Sequence, residues 1–455
     1  MVKGADFSIK ATGPKPAPIF DGKPQVVAVT PRGALLLLSP AVFSITLEVA
    51  TSIEELPMTP PGLLLPLLWF LASFTAAAQV APTRTWPELR DAVQDRVNRN
   101  AYPLTGYDRE EVREVLSRIN SLDRDEWARS WMQQGDKHVA DAKGAGADRA
   151  KAREAYIAAW RYYGFGAWPT QNSDGKRESH RRATAAFRSY AAIADPAIEV
   201  LRVPFEGKEI TAYLQLPASA RPAPVVMSVG GLDSYKEYVV EQYGPVYLAA
   251  GLGYLAIDMP GTGESPIKID VGAERIFSRL LDALAARKDV DPKRIGFMGV
   301  SWGGHWATRV GYTEKDRLRG TVAWAGPVDI YFSKEWQAKA LGTREYLFDL
   351  FAARAGVYGV STLDEFYAYG PRMSLKNGDW LSKPSAPMLL VNGEKDTQVP
   401  IEDLYLVLRN GTPKEAWVNP QGGHIGRGAG WSDARIFKEV VVPWLAARLN
   451  GSRGL

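Results

Sequence analysis

The stretch Ile295–Gly303, which reads IGFMGVSWG, is the most specific indication of the fold. Its first part, up to Val300, is a short apolar run, typical of a strand that is buried on both faces of a parallel sheet. The run ends in G-x-S-x-G, and a helical stretch follows. This order projects the hydroxyl of Ser301 above the sheet, at a helix N-terminus that favours developing negative charge. Ser301 is therefore a candidate nucleophile; the alternative is a serine without a role in a Gly-rich turn.

Short apolar runs on both sides of this segment extend the pattern. Most are bounded by Gly, Pro or Asp, and helical stretches such as 238–250 and 273–287 separate them. The alternation predicts an α/β fold with a mostly parallel sheet flanked by helices. An aromatic-rich helical insertion is expected at 330–380. The other predicted strands are Ile210–Leu216, which alternates like an edge or antiparallel strand, Val225–Val229, Gly253–Asp258, Val322–Ala325, Met388–Asn392 and Glu415–Asn419.

The region before the sheet has a helical pattern. Val112, Val115 and Leu116 recur with helical spacing after an acidic turn at 108–111, which suits a helix N-terminus. We expect this region to form a separate layer or lid over the sheet.

The N-terminal part of the chain contains an apolar stretch, 63–81, without a charged residue. It ends in Ala76-Ala77-Ala78, which resembles the cleavage site of a secretory signal peptide, although the usual basic region is missing. The alternatives are an uncleaved membrane anchor, since 19 residues just span a bilayer, and a segment of the fold. We expect 58–78 to be an export signal and 1–57 a poorly ordered extension. The mature protein is then periplasmic or secreted, and it is cytoplasmic if the segment before residue 79 is not a signal.

The composition excludes several kinds of chemistry. The chain has 455 residues, no cysteine and four histidines, so disulfides, thiolate nucleophiles and Cys-ligated metals are absent and a His-rich metal centre has little material. A net charge of +4 is too weak to indicate nucleic-acid binding. We expect a small-molecule substrate, no metal and no organic cofactor. Stable association with a membrane is expected only if 63–81 is an uncleaved anchor.

A serine nucleophile needs a general base, and His424 is the best candidate. It lies in a Gly-rich loop, Pro420–Gly426, directly after the last predicted strand, from which it can reach across the top of the sheet. His305 is four residues past Ser301 on the same helix, so its side chain runs along that helix. The remaining two histidines, His138 and His180, lie in the helical region, where core or solvated roles are more common.

The carboxylate that orients the imidazole is expected in the loop after the strand Met388–Asn392. Asp396 and Glu394 compete for this role. We favour Asp396 because it lies further into the turn before the next helix, whereas Glu394 is next to Lys395 and is typical of a surface charge. The chain order of serine, aspartate and histidine is the one expected for α/β-hydrolases.

An oxyanion hole needs backbone N–H donors at the position where the negative charge develops. The amide of Trp302, directly after the nucleophile, is the first candidate. The second is expected in Gly230-Gly231-Leu232-Asp233, where the glycines let the backbone approach a substrate closely.

Three segments together resemble a known family. The octapeptide GGLDSYKE at 230–237, the turn at 299–303 and the segment 396–403 look like the FrsA-type α/β-hydrolases. That group includes the pseudooxynicotine-pathway hydrolase and fungal melanin-pathway hydrolases that shorten polyketides. The resemblance implies a helical segment that covers the active site, a homodimer through that segment and a catalytic triad. The implied site residues are Ser301, Asp396 and His424 for the triad, and Leu232 and Trp302, next to Gly231, for the oxyanion hole.

The resemblance also guides the division of the chain. We expect a helical lid domain at 79–197 and an α/β-hydrolase catalytic domain at 198–455, with the insertion at 330–380. Side chains of the lid, the insertion and the oxyanion loop are candidates for the substrate pocket, although packing of the aromatic ones explains their presence equally well. These candidates are Trp160, Tyr163, Trp168, Asp233 and Trp336.

Two reactions and one non-enzymatic role fit these features. The first is hydrolysis of a carboxylic ester of an apolar or aromatic substrate through an acyl-enzyme. The second is cleavage of a C–C bond next to a ketone, in a β-diketone or polyketide-like substrate. The third is a binding or regulatory protein on a hydrolase scaffold, but such a protein has no need of Ser301. We expect a serine hydrolase and favour ester cleavage over C–C cleavage.

Overall fold

The computed structural model describes residues 84–218, 221–412 and 414–451, together with the backbone of two strands at 25–29 and 35–38. The predicted export signal at 58–78 lies outside the described residues. In the part of the chain that is described, no helix is both long enough and apolar enough to cross a bilayer.

Five helices form the predicted helical region, and most begin at an acidic or hydroxyl cap. The side chains of Asp108, Asp123, Asp148 and Ser173 accept backbone N–H groups at the start of four of them, which satisfies donors that a helix N-terminus leaves unpaired. The first four helices pack around an aromatic core that includes Trp131, and the fifth packs against the third and the fourth. They are α1 (Trp86–Asn98), α2 (Arg109–Ser117), α3 (Arg124–Gly144), α4 (Arg149–Ala167) and α5 (Asp174–Ile193). The role of this region as a lid stays a prediction.

The described strands form one sheet of ten strands. They are β1 (Gln25–Val29), β2 (Leu35–Leu38), β3 (Glu199–Phe205), β4 (Lys208–Gln215), β5 (Ala223–Val229), β6 (Gly253–Ile257), β7 (Val290–Val300), β8 (Gly320–Trp324), β9 (Met388–Gly393) and β10 (Glu415–Asn419). Their order across the sheet is β2-β1-β10-β9-β8-β7-β5-β6-β4-β3. The six strands from β10 to β6 in this order are parallel, and the flanking pairs are antiparallel. The predicted mostly parallel sheet is confirmed.

Three strands at the two ends of the sheet, β1, β2 and β3, are not among the predicted strands. β1 and β2 belong to the predicted extension 1–57, yet β1 pairs with β10 and β2 with β1. The reason is an available edge on β10 and the β-branched composition of QVVAV. At the other end, β3 has no counterpart among the predicted strands; Pro204 and charged residues interrupt its pattern, which an end strand tolerates.

Helices cover both faces of the sheet. One face packs against α7, α8 and α12, and the other against α5, α6 and α14. The predicted insertion at 330–380 contains α9 to α11 and several short turns. The helices after β5 are α6 (Lys236–Ala249), α7 (Arg275–Ala285), α8 (Trp302–Thr313), α9 (Lys334–Leu341), α10 (Leu350–Tyr358), α11 (Leu363–Tyr369), α12 (Ile401–Leu408), α13 (Asp433–Ile436) and α14 (Val442–Leu449).

The carboxyl ends of the parallel strands meet at one edge of the sheet. The loops after β5, β7, β9 and β10 carry the residues that the sequence singled out as chemically active. Ligands of open α/β sheets bind at this edge. The fold therefore brings the predicted nucleophile, base, acid and oxyanion loop to the same side of the molecule.

Candidate active site

Ser301 occupies a strained turn between β7 and α8. Its φ of 54° and ψ of −121° are unusual for a residue with a side chain. The flanking glycines are required by close approaches. A Cβ on Gly299 would lie 1.9 Å from the carbonyl oxygen of Gly303, and a Cβ on Gly303 would lie 2.4 Å from that of Gly230. The G-x-S-x-G pattern thus reflects backbone crowding that holds the serine hydroxyl at the N-terminus of α8.

Three side chains form a continuous hydrogen-bonded chain at this turn. His424 Nε2 lies 3.0 Å from Ser301 Oγ, and His424 Nδ1 lies 2.8 Å from Asp396 Oδ2. The second carboxylate oxygen of Asp396 accepts the backbone N–H groups of Gln398 and Val399, at 2.7 and 3.0 Å. These bonds fix the carboxylate, which in turn fixes the imidazole. The arrangement can move a proton from the serine hydroxyl to the imidazole.

The electrostatic surroundings favour a proton on His424. Burial lowers the pKa of the imidazole, but the charge and hydrogen bond of Asp396 outweigh this effect, and Glu345 adds to them. The net result is a pKa above the ordinary value of 6.5. The Asp396 side chain itself has no exposed surface. A buried carboxylate next to the imidazole stabilises the imidazolium ion that proton transfer produces.

The competing residues lie elsewhere. Glu394 accepts a hydrogen bond from the hydroxyl of Tyr405, at 2.6 Å. His305 bonds the carbonyl oxygen of Pro327 through Nδ1, and burial lowers its pKa to about 3. His138 contacts Glu111 in the helical region. The fourth histidine, His180 on α5, meets the ring of Tyr235 edge to face, and burial lowers its pKa to about 4.

The loop after β5 lies against the nucleophile. A Cβ on Gly231 would lie 3.1 Å from Ser301 Cβ. The amide of Gly231 donates to Ser234 Oγ at 2.8 Å, so it is already engaged. The amides of Leu232 and Trp302 have no acceptor among the described residues. Of the three predicted oxyanion donors, these two are therefore free to bind a ligand oxygen.

A cavity of about 300 Å³ opens at Ser301 and His424. Of the predicted pocket residues, Trp168 and Asp233 line it. Trp160, Tyr163 and Trp336 are not part of its lining. Trp160 faces an adjoining cavity, Tyr163 donates its hydroxyl to Asp136, and Trp336 donates its indole N–H to the carbonyl of Gln398.

Sequence reasoning missed several residues of this cavity. They come from α1 and the segment after it, from α6 and the loop before it, from the segment 343–349, from the loop after His424 and from the start of α13. No motif marks them, because their position depends on how these segments fold over the sheet. The missed residues that contribute polar or charged groups are Arg96, Arg99, Tyr102, Ser234, Tyr238, Tyr243, Glu345, Tyr346, Arg427 and Asp433.

The carboxyl group of Asp233 is an unusual feature of this wall. Burial raises its pKa, although Tyr102, Tyr346 and Trp168 oppose the shift. The indole N–H of Trp168 donates to Asp233 Oδ2 at 3.0 Å.

In the described part of the chain, no group of three or more His, Asp or Glu side chains is arranged to hold a metal ion.

The chain is similar to several known proteins. The model of a family described as Esterase FrsA-like matches residues 88–416. Among curated proteins, the chain is similar to Esterase FrsA of Photobacterium profundum. The identity is 26% over 289 residues, which cover 62% of this chain and 68% of that protein.

Two solved structures have a similar fold. The 2,6-dihydroxy-pseudo-oxynicotine hydrolase matches with a TM-score of 0.65 and 21% identity, over 77% of this chain and 95% of that chain. AbyA5 matches with a TM-score of 0.59 and 25% identity, over 75% of this chain and 98% of that chain. These similarities confirm the α/β-hydrolase fold that the sequence predicted.

Proposed function

Because the chain belongs to the FrsA-like esterase family, we propose that it is a serine hydrolase of carboxylic esters with an apolar or aromatic part. Membership makes it a hydrolase enzyme of the α/β-hydrolase type. The catalytic residues and the substrate class are our proposal. The observation that carries it is the hydrogen-bonded chain from Ser301 through His424 to Asp396.

In the acylation step, Ser301 Oγ attacks the ester carbonyl while His424 Nε2 accepts the hydroxyl proton. The oxygen of the tetrahedral intermediate becomes negative and accepts hydrogen bonds from the amides of Leu232 and Trp302. Collapse of the intermediate breaks the C–O bond, and His424 donates its proton to the departing alkoxide. Asp396 stabilises the imidazolium ion between these two transfers.

In the deacylation step, a water molecule takes the place of the alcohol. His424 accepts a proton from this water as it attacks the acyl carbonyl, and then returns the proton to Ser301 Oγ. The same amides stabilise the second tetrahedral intermediate. The products are the free acid and the original enzyme, and the steps need no metal or organic cofactor.

The walls of the cavity support an apolar or aromatic substrate. Five aromatic side chains contribute to the lining, together with six charged ones. The aromatic side chains can bind an apolar or aromatic part of a substrate by contact, and the charged ones can orient its polar part. The five aromatic residues are Tyr102, Trp168, Tyr238, Tyr243 and Tyr346.

A second candidate reaction is C–C cleavage of a β-diketone, which one observation favours. Burial raises the pKa of Asp233 in the wall of the cavity. A protonated carboxyl group can donate a hydrogen bond or a proton to a carbanion or enolate leaving group. We rank this reaction second, because the same carboxyl group has a structural use in holding Trp168.

The test compares matched substrates. The full chain and its Ser301→Ala variant are each given an aryl ester and the corresponding aryl β-diketone, and products are followed by mass spectrometry. We expect ester cleavage that the variant lacks. Diketone cleavage that requires Ser301 would favour the second reaction, and ester cleavage that survives the substitution would refute the proposed nucleophile.

The apolar stretch at 63–81 also supports a proposal that the protein is exported. Mass measurement of the protein recovered from cell fractions tests it. A mature chain that begins near residue 79, found outside the cytoplasm, is expected. An uncleaved chain in the membrane fraction would indicate an anchor.

A further inference from the structure

The cavity at Ser301 shares a wall with a second cavity. This second cavity, of about 80 Å³, lies between the helical region and α6. Ser301 and His424 line only the first cavity, whereas Thr184 on α5 and Glu237 on α6 line only the second. The residues that line both cavities are Tyr102, Trp168, Asp233, Ser234 and Tyr238.

Trp168 is the largest side chain of the shared wall, and its ring is fixed from several directions. The indole N–H donates to Asp233 Oδ2 at 3.0 Å. The ring stacks on Tyr346 with 5.5 Å between centroids, and the ring of Phe348 meets it edge to face at 5.2 Å. The backbone carbonyl of Trp168 accepts a hydrogen bond from the buried ammonium group of Lys176, at 3.0 Å. With 6% of its surface exposed, Trp168 forms a rigid part of the wall.

Asp233 is suited to hold this indole in place. No Lys, Arg or His nitrogen of the described residues lies within 4.0 Å of its carboxyl group. Asp233 is half-buried. Partial burial of a carboxyl group without a cationic partner in contact is unfavourable, and such groups usually have a specific hydrogen-bonding role. The hydrogen bond from Trp168 supplies that role, because it fixes the angle at which the ring stands between the cavities.

We propose that Trp168 determines the length of substrate that the enzyme accepts, with Asp233 as the positioning residue that holds the indole. The inference rests on the proposed ester hydrolysis at Ser301. With the indole in place, an ester must fit within the cavity at Ser301, which selects short chains. Without the indole, the two cavities join, and a longer chain can extend towards Thr184.

The test uses the full chain and a series of aryl esters from acetate to dodecanoate, with a second series that varies the alcohol at constant acetate. Trp168→Ala is expected to move the highest kcat/KM to longer chains in one of the two series. The long-to-short ratio is the kcat/KM of the long esters divided by that of the short ones. Because one methylene in an apolar pocket changes kcat/KM by about 10-fold or more, this ratio should rise by at least ~10-fold. Trp168→Phe keeps most of the wall and should shift the optimum less.

Asp233 variants separate positioning from simple packing. Asp233→Ala removes the acceptor of the indole N–H, so the long-to-short ratio should rise, but less than in Trp168→Ala. Asp233→Asn keeps an acceptor oxygen and should restore the preference of the original enzyme. An unchanged ratio in Asp233→Ala would show that Asp233 does not position the indole.

A substitution in the second cavity tests where the longer chain goes. Thr184 is 5% exposed, and its hydroxyl has no hydrogen-bond partner among the described residues, so Thr184→Leu fills space without breaking a bond. Alone it should leave the length preference unchanged. Combined with Trp168→Ala it should return the optimum to short esters.

The failures of the two ideas are distinguishable. If Trp168→Ala folds by circular dichroism and keeps the original length preference in both series, the inference is overturned while Ser301-dependent hydrolysis stands. If Ser301→Ala still hydrolyses the acetate ester, the proposed function is refuted, whatever the length preference of the Trp168 variants. Should Trp168→Ala fail to fold, Trp168→Phe and Asp233→Ala decide the outcome, because each leaves an aromatic ring in the wall.

Discussion

His424 Nε2 lies 3.0 Å from Ser301 Oγ although 123 residues separate them along the chain. The contact arises because β7 and β10 run parallel in one sheet, with β8 and β9 between them. The loop after β10 then crosses the carboxyl ends of β8 and β9 to reach the turn after β7. Asp396, in the turn after β9, lies under this crossing and fixes the histidine.

Asp396→Asn should lower kcat by about 10⁴-fold, because the amide cannot stabilise the imidazolium ion or select the correct tautomer. Glu394→Gln is the matched control in the same loop, since Glu394 contacts Tyr405 instead. Steady-state kinetics with one aryl ester measures both. Equal losses in the two variants would contradict the assignment of Asp396.

The pH dependence should reflect the raised pKa of His424. Only the neutral imidazole accepts the proton of Ser301, and a raised pKa keeps the imidazole protonated to a higher pH. The acidic limb of kcat/KM should therefore have its midpoint above 6.5, the ordinary value for histidine. Asp396→Asn removes the charge responsible and should move this midpoint to lower pH. A midpoint below 6.5 in the original enzyme would contradict the description of the site.

Gly231→Ala should lower kcat strongly while the protein stays folded. The added methyl carbon would lie 3.1 Å from Ser301 Cβ, so the oxyanion loop or the serine must shift. A misplaced oxyanion donor costs about 10²–10³-fold in kcat. Gly144→Ala is the control, because nothing lies within 4 Å of the added carbon. An active Gly231→Ala enzyme would argue against this loop as part of the oxyanion hole.

The segment that carries Glu345 and Tyr346 is held to the helical region through Asp349. Its carboxylate accepts hydrogen bonds from Arg124 at 2.8 and 2.9 Å, from Asn172 at 3.0 Å and from the buried Lys176 at 3.2 Å. Asp349→Ala leaves a buried ammonium group without its counter-charge.

Asp349→Ala should therefore lower the free energy of unfolding by about 3–5 kcal/mol, as measured by urea denaturation. The exposed pair Arg177 and Asp174 provides the control. Asp174→Ala should change the free energy of unfolding by no more than about 1 kcal/mol. Equal effects of the two substitutions would show that Asp349 does not hold the segment in place.

The catalytic candidates could be found in the sequence because each follows a parallel strand by a few residues. Ser301 also has a specific pattern of glycines, and the small number of histidines left His424 as the base. Local patterns of this kind can be recognised without knowledge of the tertiary structure. Asp396 is hydrogen-bonded to the histidine and Glu394 to Tyr405, because the turn after β9 determines which carboxylate faces the histidine.

The substrate cavity could not be predicted in the same way. Trp160 and Trp168 are equally aromatic and lie close in the sequence, yet Trp160 is inside α4 and packs on Phe187, whereas Trp168 follows the end of α4. Only the packing of the helical region on the sheet turns Trp168 towards Asp233. Tyr102 and Tyr346 enter the cavity from irregular segments that have no periodic pattern.

Activation of Ser301 by His424 underlies every step of the proposed reaction. It is tested by mass spectrometry of the full chain after reaction with an aryl phosphonate ester, which forms a stable covalent adduct with an activated serine. We predict one adduct, located on the peptide that contains Ser301, and none in Ser301→Ala. A strong reduction is expected in His424→Ala. An adduct on another residue, or an equal adduct in Ser301→Ala, would contradict the assignment of the nucleophile.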